Sequence, residues 1–196
     1  MRQIGIPSAL YYFHYQPLWR CFFAELGLRP VFSLPTNKEI LAQGLASCVD
    51  GACLPIKAYV GHCRALAAAG HELLFVPQII SVYKREYICP SFMGLPDLVK
   101  QYLPARVRIL APVIDARKGN RAVCRAYLRM GREFAPSWTV KKAWQKALAK
   151  QAEFDAALQA KITEAAKGHL NILLLGPRYL VDDHFLNGNL ENPGAQ

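Results

Sequence analysis

Short runs of apolar residues alternate along the chain with longer segments in which apolar residues recur at helical spacing. The apolar runs predict strands at residues 3–7, 29–34, 73–82, 108–114 and 170–176. The periodic segments predict helices at residues 17–27, 38–49, 55–69, 96–102, 120–134 and 140–167. Strands that alternate with helices pair in parallel, because each crossover carries the chain back across the sheet. The strands are continuous apolar runs, which is typical of a sheet covered on both faces. The sequence therefore predicts a three-layer, doubly wound (Rossmann-like) α/β fold with a mostly parallel sheet.

The C-terminal part of the chain predicts the start of a second α/β unit. The run 170–176 leads into the turn Gly176-Pro177-Arg178-Tyr179, and the chain ends about one helix later. We therefore expect residues 1–168 to form a Rossmann-like domain that bears the cysteines, and residues 169–196 to begin a second, truncated unit. A single strand cannot bury both of its faces. It would have to join the first sheet, pair with another chain or stay poorly ordered.

Composition excludes two classes of protein. The chain has 196 residues, of which 53% are hydrophobic, so it can bury a core large enough to offset the entropy of ordering and is not a disordered tail. No apolar run approaches the ~20 residues that a membrane helix needs. No charged leader with a long apolar stretch and a cleavage site is visible, and the sequence predicts a cytoplasmic protein.

The positive charge is concentrated in residues 106–150. This window holds 12 basic and two acidic residues, a balance of 12 − 2 = +10, which equals the formal charge of the whole chain. Within the window, four arginines recur every four residues: Arg117, Arg121, Arg125 and Arg129. Such a stripe can bind a phosphate-bearing ligand or an acidic partner surface. No nucleic-acid-binding motif accompanies it, which argues against nucleic acid, and we favour a solvated helix face.

The cysteines suggest a second kind of chemistry. The chain has six: Cys21, Cys48, Cys53, Cys63, Cys89 and Cys124. No C-x-x-C pair occurs, so any metal would be held by cysteines far apart in sequence. Cys53 lies at the start of a predicted helix, where backbone N–H groups and Lys57 one turn along favour a thiolate. Cys89 precedes Pro90 in the loop after a strand.

The remaining candidates have simpler interpretations. Cys21 and Cys124 are interpreted as structural, and the roles of Cys48 and Cys63 stay open. His14 and His62 are interpreted as hydrogen-bonded residues rather than ligands. The turn at Gly176 is of a kind that presents N–H groups to a phosphate, although it lacks a full glycine-rich motif.

Several ordered motifs resemble those of a known family. They are Ile4-Gly5-Ile6-Pro7-Ser8-Ala9-Leu10, Tyr15-x-Pro17-Leu18-Trp19, Phe22-Phe23-x-Glu25-Leu26-Gly27, Ser33-Leu34-Pro35-Thr36-Asn37-Lys38, Val49-Asp50-Gly51-Ala52-Cys53-Leu54-Pro55-Ile56-Lys57 with Gly61-His62, Glu86-Tyr87-Ile88-Cys89-Pro90 with Gly94-Leu95-Pro96-Asp97, and Gly176-Pro177-Arg178-Tyr179 with Asp182 or Asp183. Together they resemble the N-terminal domain of the activase-related proteins of the 2-hydroxyacyl-CoA dehydratase group (DUF2229). The resemblance covers nearly the whole chain apart from the basic helices and the last few residues.

The resemblance implies a Rossmann-like domain that contributes cysteine ligands to an iron–sulfur cluster, for example of the 4Fe-4S type. Relatives couple ATP-driven, low-potential electron transfer to reductive chemistry such as removing water from 2-hydroxyacyl-CoA. The matching positions imply Cys53 and Cys89 as metal ligands. Lys57 would then lie beside the cluster, and Gly176, Arg178 and Tyr179 are candidate cofactor-binding residues.

Two departures from the family pattern affect this expectation. Gly51 stands where relatives usually carry an acidic residue before the cysteine. Relatives also continue through a second α/β domain that helps to complete the cluster. A cluster on this chain would need further thiolates from Cys48 or Cys63, from a second subunit or from a partner chain that supplies the missing half.

Three functions follow as hypotheses. The first is an iron–sulfur-associated domain acting in electron transfer or reductive catalysis with a partner. The second is a non-catalytic binding or assembly module whose basic helices dock an acidic partner or the phosphate of CoA or a nucleotide. The third, a thiol enzyme with Cys53 as nucleophile, lacks a convincing Cys–His–acid set.

Overall fold

A computed structural model describes residues 2–165 and 174–190. The described strands are β1 (Gln3–Ile6), β2 (Arg29–Phe32), β3 (Leu73–Phe75), β4 (Gln78–Ser81), β5 (Arg108–Leu110) and β6 (Val113–Asp115). The described helices are α1 (Tyr12–Glu25), α2 (Lys38–Ser47), α3 (Leu54–Ala68), α4 (Pro90–Met93), α5 (Leu95–Tyr102), α6 (Asn120–Gly131), α7 (Ser137–Ala165) and α8 (Arg178–Val181). A 3-10 turn (Ala116–Lys118) connects β6 to α6.

The strands form a parallel sheet in the order β2-β1-β3-β5, and β4 pairs in parallel with β6. Pro77 separates β3 from β4, and Pro112 separates β5 from β6. Proline has no N–H to donate, so each interrupts the ladder. Hydrogen bonds from Val76 N–H to the Leu110 carbonyl and from Gln78 N–H to the Pro112 carbonyl, both 3.0 Å, continue the pairing. The two predicted strands 73–82 and 108–114 are therefore each present as two shorter strands.

Helices cover both faces of the sheet, which confirms the predicted three-layer α/β fold. On one face, Trp19 and Phe23 of α1 contact Phe75 of β3, and Trp144 of α7 packs on Phe22 in the same core. On the other face, α3, α4 and α5 pack on Leu74 of the same strand. Leu73 and Phe75 thus belong to one core and Leu74 to the other, as expected for a strand that is buried on both sides.

The winding direction of the chain reverses between β1 and β3. The crossover from β1 to β2 runs through α1 on one face, and the crossover from β2 to β3 runs through α2 and α3, with α3 on the other face. In open α/β sheets the crevice at the carboxyl ends of such neighbouring strands is where ligands bind. The loops at this edge follow β1, β2 and β4.

Helix α1 begins at Tyr12, earlier than the predicted start at residue 17, and it contains Pro17 in its interior. A proline there removes one helical hydrogen bond. Three aromatic side chains of α1 connect it to its neighbours: Trp19 and Phe23 contact a phenylalanine of β3, and Phe22 contacts aromatic rings of α6 and α7. Tertiary packing of the apolar face thus outweighs the local signal of the proline.

The predicted strand at residues 170–176 falls largely outside the described residues. Leu174, Leu175 and Gly176 are described and are not in a strand; α8 follows directly. Residues 174–190 pack against the loops at the carboxyl edge of the sheet, through contacts given below. That a second unit begins at residue 169 stays a prediction.

Candidate functional site

Cys53 and Cys89 occupy equivalent local positions, each immediately before a helix whose first turn contains a proline. Cys53 precedes α3, and Cys89 precedes the short helix α4. The Cys53 carbonyl accepts hydrogen bonds from the N–H groups of Ile56 and Lys57, both at 3.1 Å. Neither cysteine side chain caps its helix, and both thiols are free and exposed. Both are available to an external ligand.

Tyr179 of α8 is within electrostatic reach of both cysteines. Burial raises the pKa of the Tyr179 phenol, and the nearby Cys53 and Cys89 thiols raise it further. The Tyr179 ring packs edge-on against Phe92 of α4, with ring centroids 5.6 Å apart. Tyr179 thus lines the same cavity as Cys89 and is also influenced by the charge of Cys53.

A cavity of about 300 Å³ adjoins Cys89, and we call it the Cys89 cavity. It lies at the reversal point of the winding, between the loop after β1 and the loop after β4. Its lining includes Tyr11, His14, Tyr15 and Tyr179. Burial raises the pKa of Tyr15 to about 12 and that of Tyr11 still further, and it lowers the pKa of His14. At neutral pH the cavity presents uncharged hydroxyl groups and an uncharged imidazole beside the thiol.

Lys57 is directed toward the loop that precedes Cys53. Its ammonium group donates to the Asp50 carbonyl at 3.1 Å. It also lowers the pKa of the Cys48 thiol, against the larger opposing effect of burial. The positive charge predicted beside Cys53 thus lies on the Asp50 and Cys48 side of the loop.

The turn that contains Gly176 and Arg178 offers less free positive charge than the sequence predicts. The Arg178 side chain donates through Nε to Asp182 at 2.6 Å and forms an ion pair with the same carboxylate. Its guanidinium also lies 5.5 Å from the centroid of the Phe154 ring. Gly176 is exposed. That Lys57, Gly176, Arg178 and Tyr179 bind a cofactor stays a prediction.

The other cysteines near the site are buried. Cys63 is fully buried and Cys48 nearly so, and burial raises the pKa of both thiols. A buried neutral thiol is a poor metal ligand, because the thiolate is the ligating form. Within the described part of the chain, no three His, Cys, Asp or Glu side chains are grouped so that they could hold a metal ion.

The structure contains a polar chain that the sequence did not predict, formed by Ser33, His62, Thr36 and Asp183. Ser33 Oγ lies 2.8 Å from Nδ1 of His62, and Thr36 Oγ1 lies 3.0 Å from Nε2. The Thr36 hydroxyl donates to Asp183 at 2.5 Å. His62 is fully buried, and its pKa is lowered to about 4 by burial. It is a hydrogen-bonded helix residue, as predicted.

The directions of these hydrogen bonds follow from counting protons. Thr36 has one hydroxyl proton, which it donates to Asp183, so Thr36 Oγ1 accepts from the Nε2–H of His62. Nδ1 is then the unprotonated nitrogen and accepts from the Ser33 hydroxyl. Ser33 Oγ in turn accepts from the Ser8 N–H at 2.8 Å. One neutral tautomer of His62 thereby connects the loops after β1 and β2 to residues 174–190.

The loop before Cys89 is attached to the end of β6 through Arg117. This guanidinium donates to both carboxylate oxygens of Asp115, at 2.9 and 2.8 Å. It also stacks on the ring of Tyr87 at 3.9 Å from the centroid. Arg117 therefore lies outside α6, and the predicted four-arginine stripe is reduced to the exposed Arg121, Arg125 and Arg129 of that helix.

The comparison with protein families agrees with the motifs. A model of the CoA enzyme activase uncharacterised domain (DUF2229) matches residues 3–193. The chain belongs to this family. For this activase-family chain, no curated protein and no solved structure gives a match.

Family membership confirms the resemblance and relates this activase-family chain to CoA enzyme activases. The match spans both cysteine motifs and the turn at Gly176. Among residues 2–165 and 174–190, no helix combines the length and the hydropathy that crossing a membrane requires.

Proposed function

We propose that this chain is an iron–sulfur-associated domain of the CoA enzyme activase group, with Cys53 and Cys89 as thiolate ligands. In this role it takes part in low-potential electron transfer or reductive catalysis together with a partner chain. The observation that supports the proposal is that both thiols are free and exposed, that each directly precedes a helix, and that both act electrostatically on the Tyr179 phenol. Each belongs to a motif inside the family match.

The surroundings of Cys53 suit a negatively charged cluster. It precedes a helix of 15 residues, whose first-turn N–H groups and dipole stabilise negative charge. Pro55 fits the first turn without losing a needed hydrogen bond. Iron–sulfur clusters are held by cysteine thiolates, and hydrogen bonds and solvent exposure set their potentials. A bound cluster would supply one-electron transfer.

Two thiolates are fewer than a cluster of this kind requires. Such clusters commonly take four cysteine ligands. Cys48 and Cys63 are both buried, and burial raises the pKa of each thiol. The remaining ligands are therefore assigned to another chain, a second copy or a separate partner subunit. Cys53 and Cys89 would hold their share, and the neutral Tyr11, Tyr15 and Tyr179 would exclude water beside Cys89.

Anaerobic reconstitution of the purified chain with ferrous iron and sulfide tests the proposal. We expect a brown protein with visible charge-transfer absorption and bound iron, the remaining ligands being supplied by a second copy of the chain or by an added partner subunit. Cys53→Ser or Cys89→Ser should each remove most of both signals, because each removes a ligand. Cys124→Ser is the matched control, since Cys124 lies on α6 away from the site, and it should reconstitute like the wild type. Circular dichroism checks that each variant is folded.

Two results would contradict the proposal. One is a protein that stays colourless and iron-free after reconstitution, both when the chain is reconstituted alone and when a purified partner subunit is added. The other is iron binding that is unchanged in the Cys53→Ser, Cys89→Ser double variant.

A second function, docking of an acidic partner or of a CoA or nucleotide phosphate, is favoured by one observation. Helix α6 exposes Arg121, Arg125 and Arg129, and none of them forms an ion pair within the described ranges. Under this function, charge reversal at Arg121 and Arg125 abolishes binding of CoA, while the Cys53→Ser, Cys89→Ser double variant binds it normally.

A further inference from the structure

A larger cavity, of about 470 Å³, lies between helices α1, α6 and α7 and the carboxyl ends of β4 and β6. We call it the helical cavity. Its volume falls in the range of small-molecule binding sites. It is separate from Cys53 and Cys89, although Tyr15 and Val82 line both this cavity and the Cys89 cavity.

The walls of the helical cavity are mainly apolar and aromatic. They include Leu18, Trp19, Ile114 and Trp144. The Trp19 indole N–H donates to the Tyr127 hydroxyl at 2.9 Å, and the Tyr127 ring stacks on Trp144 with centroids 4.5 Å apart. The Trp19 N–H is thus satisfied by Tyr127. What remains for an occupant is mainly apolar surface, which favours an apolar body.

The rim of the cavity carries positive charge. Arg121 lines it at the start of α6, is exposed, and has no ion pair with any residue that the structure describes. The first turn of α6 contains no acidic residue. The nearest acid on the preceding strand, Asp115, is already paired with Arg117. A guanidinium at the N-terminal end of a 12-residue helix is a favourable partner for a carboxylate.

Gln151 of α7 adds an unused acceptor in the wall. It is 91% buried, and its Nε2 donates to the His14 carbonyl at 2.8 Å and to Asp155 at 2.9 Å. Its Oε1 is buried without a hydrogen-bond partner among the described residues. Buried polar atoms are rarely left unpaired. This oxygen has less than 1 Å² of accessible area, so it lies within the wall and is not a contact for an occupant of the cavity.

We propose that the helical cavity binds a small monocarboxylate whose apolar body fills the aromatic walls and whose carboxylate pairs with Arg121. The proposal is independent of the cluster at Cys53 and Cys89. It assigns a ligand class to a part of the molecule that the cysteine chemistry does not use.

Titration calorimetry with octanoate and with octanol tests the proposal on the full chain. Both molecules share an apolar body, and only octanoate carries the carboxylate. We expect saturable binding of octanoate, accompanied by a change in the fluorescence of Trp19 and Trp144. Arg121→Gln should weaken octanoate binding by about tenfold or more and leave octanol binding within about twofold, because only a charge-assisted hydrogen bond is lost.

Matched variants separate this site from general surface binding. Arg125→Gln, one turn further along α6 and outside the cavity lining, should bind octanoate like the wild type. Leu148→Trp should abolish binding of both molecules by filling the cavity. Leu148 is 44% exposed at the cavity edge, so a larger side chain there is compatible with folding. Cys53→Ser and Cys89→Ser should bind octanoate unchanged, so the two proposals fail separately.

The proposal is overturned if wild-type protein shows no saturable octanoate binding, which would also be the result if another part of the chain fills the cavity. It is equally overturned if Arg121→Gln and Leu148→Trp both bind octanoate as the wild type does.

Discussion

His62 has the most constrained environment of the titratable side chains in the candidate site. Both of its ring nitrogens are hydrogen-bonded, and its lowered pKa reflects the removal of water rather than a neighbouring charge. In its neutral form it satisfies Ser33 and Thr36 together. Protonation would place a second N–H opposite Ser33 Oγ, which already accepts from the Ser8 N–H.

This residue predicts an acid-sensitive stability. The pKa of His62 is about 4 in the folded chain and 6.5 ordinarily, so the unfolded chain binds the proton first as pH falls. The contribution of neutral His62 to the free energy of unfolding is fully present above pH 6.5 and is lost as pH falls from 6.5 to about 4. The slope approaches ~1.4 kcal/mol per pH unit. Urea unfolding across this range measures it.

His62→Gln supplies the comparison, because it cannot titrate there. The free energy of unfolding of this variant should change less steeply with pH between 6.5 and 4. Above pH 6.5 it should be lower than that of the wild type. Equal slopes for the two proteins would show that other groups cause the acid sensitivity. The His62 ring proton resonances of the wild type should also show no titration near pH 6.5.

Helices α2 and α3 cross with their backbones in direct contact, and this crossing fixes the loop that carries Cys53. A Cβ atom at Gly44 would overlap the Lys57 carbonyl oxygen, and one at Gly61 would overlap the Ile40 carbonyl oxygen. Backbone atoms cannot move aside as a flexible side chain can. The two glycines therefore set the spacing of the helices.

Gly61→Ala should therefore lower the free energy of unfolding by about 2 kcal/mol or more through overpacking. Gly51→Ala is the control, because a Cβ there meets nothing within 4 Å, and its effect should stay within about 0.5 kcal/mol. Urea unfolding followed by circular dichroism compares the two. Similar stabilities for both variants would mean that the helices separate freely at this crossing.

The helices and strands were largely predictable, because long apolar runs and helical periodicity report burial directly. The predicted start of α1 at residue 17 was wrong, because Pro17 is a local signal for a helix start. The aromatic packing that stabilises the helix on both sides of Pro17 involves residues distant in sequence. The series of hydrogen bonds through Ser33, His62, Thr36 and Asp183 has no periodic signal in the sequence, because only the fold brings these residues together. That Cys53 and Cys89 are metal ligands stays a prediction.

At the scale of the whole molecule, residues 174–190 are attached to the first strands through a few polar and aromatic contacts. Asp183 is buried and accepts from Thr36 and from the N–H groups of Phe185 and Leu186. Tyr179 packs on Phe92. The attachment positions Tyr179 in the lining of the Cys89 cavity, so this part of the candidate site depends on it.

Thr36→Val should release this segment, because it leaves Oδ2 of Asp183 and the Nε2–H of His62 buried without their shared hydrogen-bond partner. Hydrogen exchange should speed up in residues 178–187, while β1 and β3 keep their protection. Ser47→Ala, which removes only a local hydrogen bond to Gln43, should leave the segment unchanged. Uniform protection in the Thr36→Val variant would show that other contacts hold the segment.

Arg117 gives one guanidinium two partners, Asp115 at the end of β6 and the Tyr87 ring two residues before Cys89. Arg117 also lies in the turn directly before α6, the helix that carries the positively charged rim of the helical cavity. Two chemically unrelated regions, one thiol-bearing and one apolar, thus share a common anchor. Loss of this planar cation should therefore loosen the loop before Cys89 and the start of α6 together, in regions that also share Tyr15 and Val82.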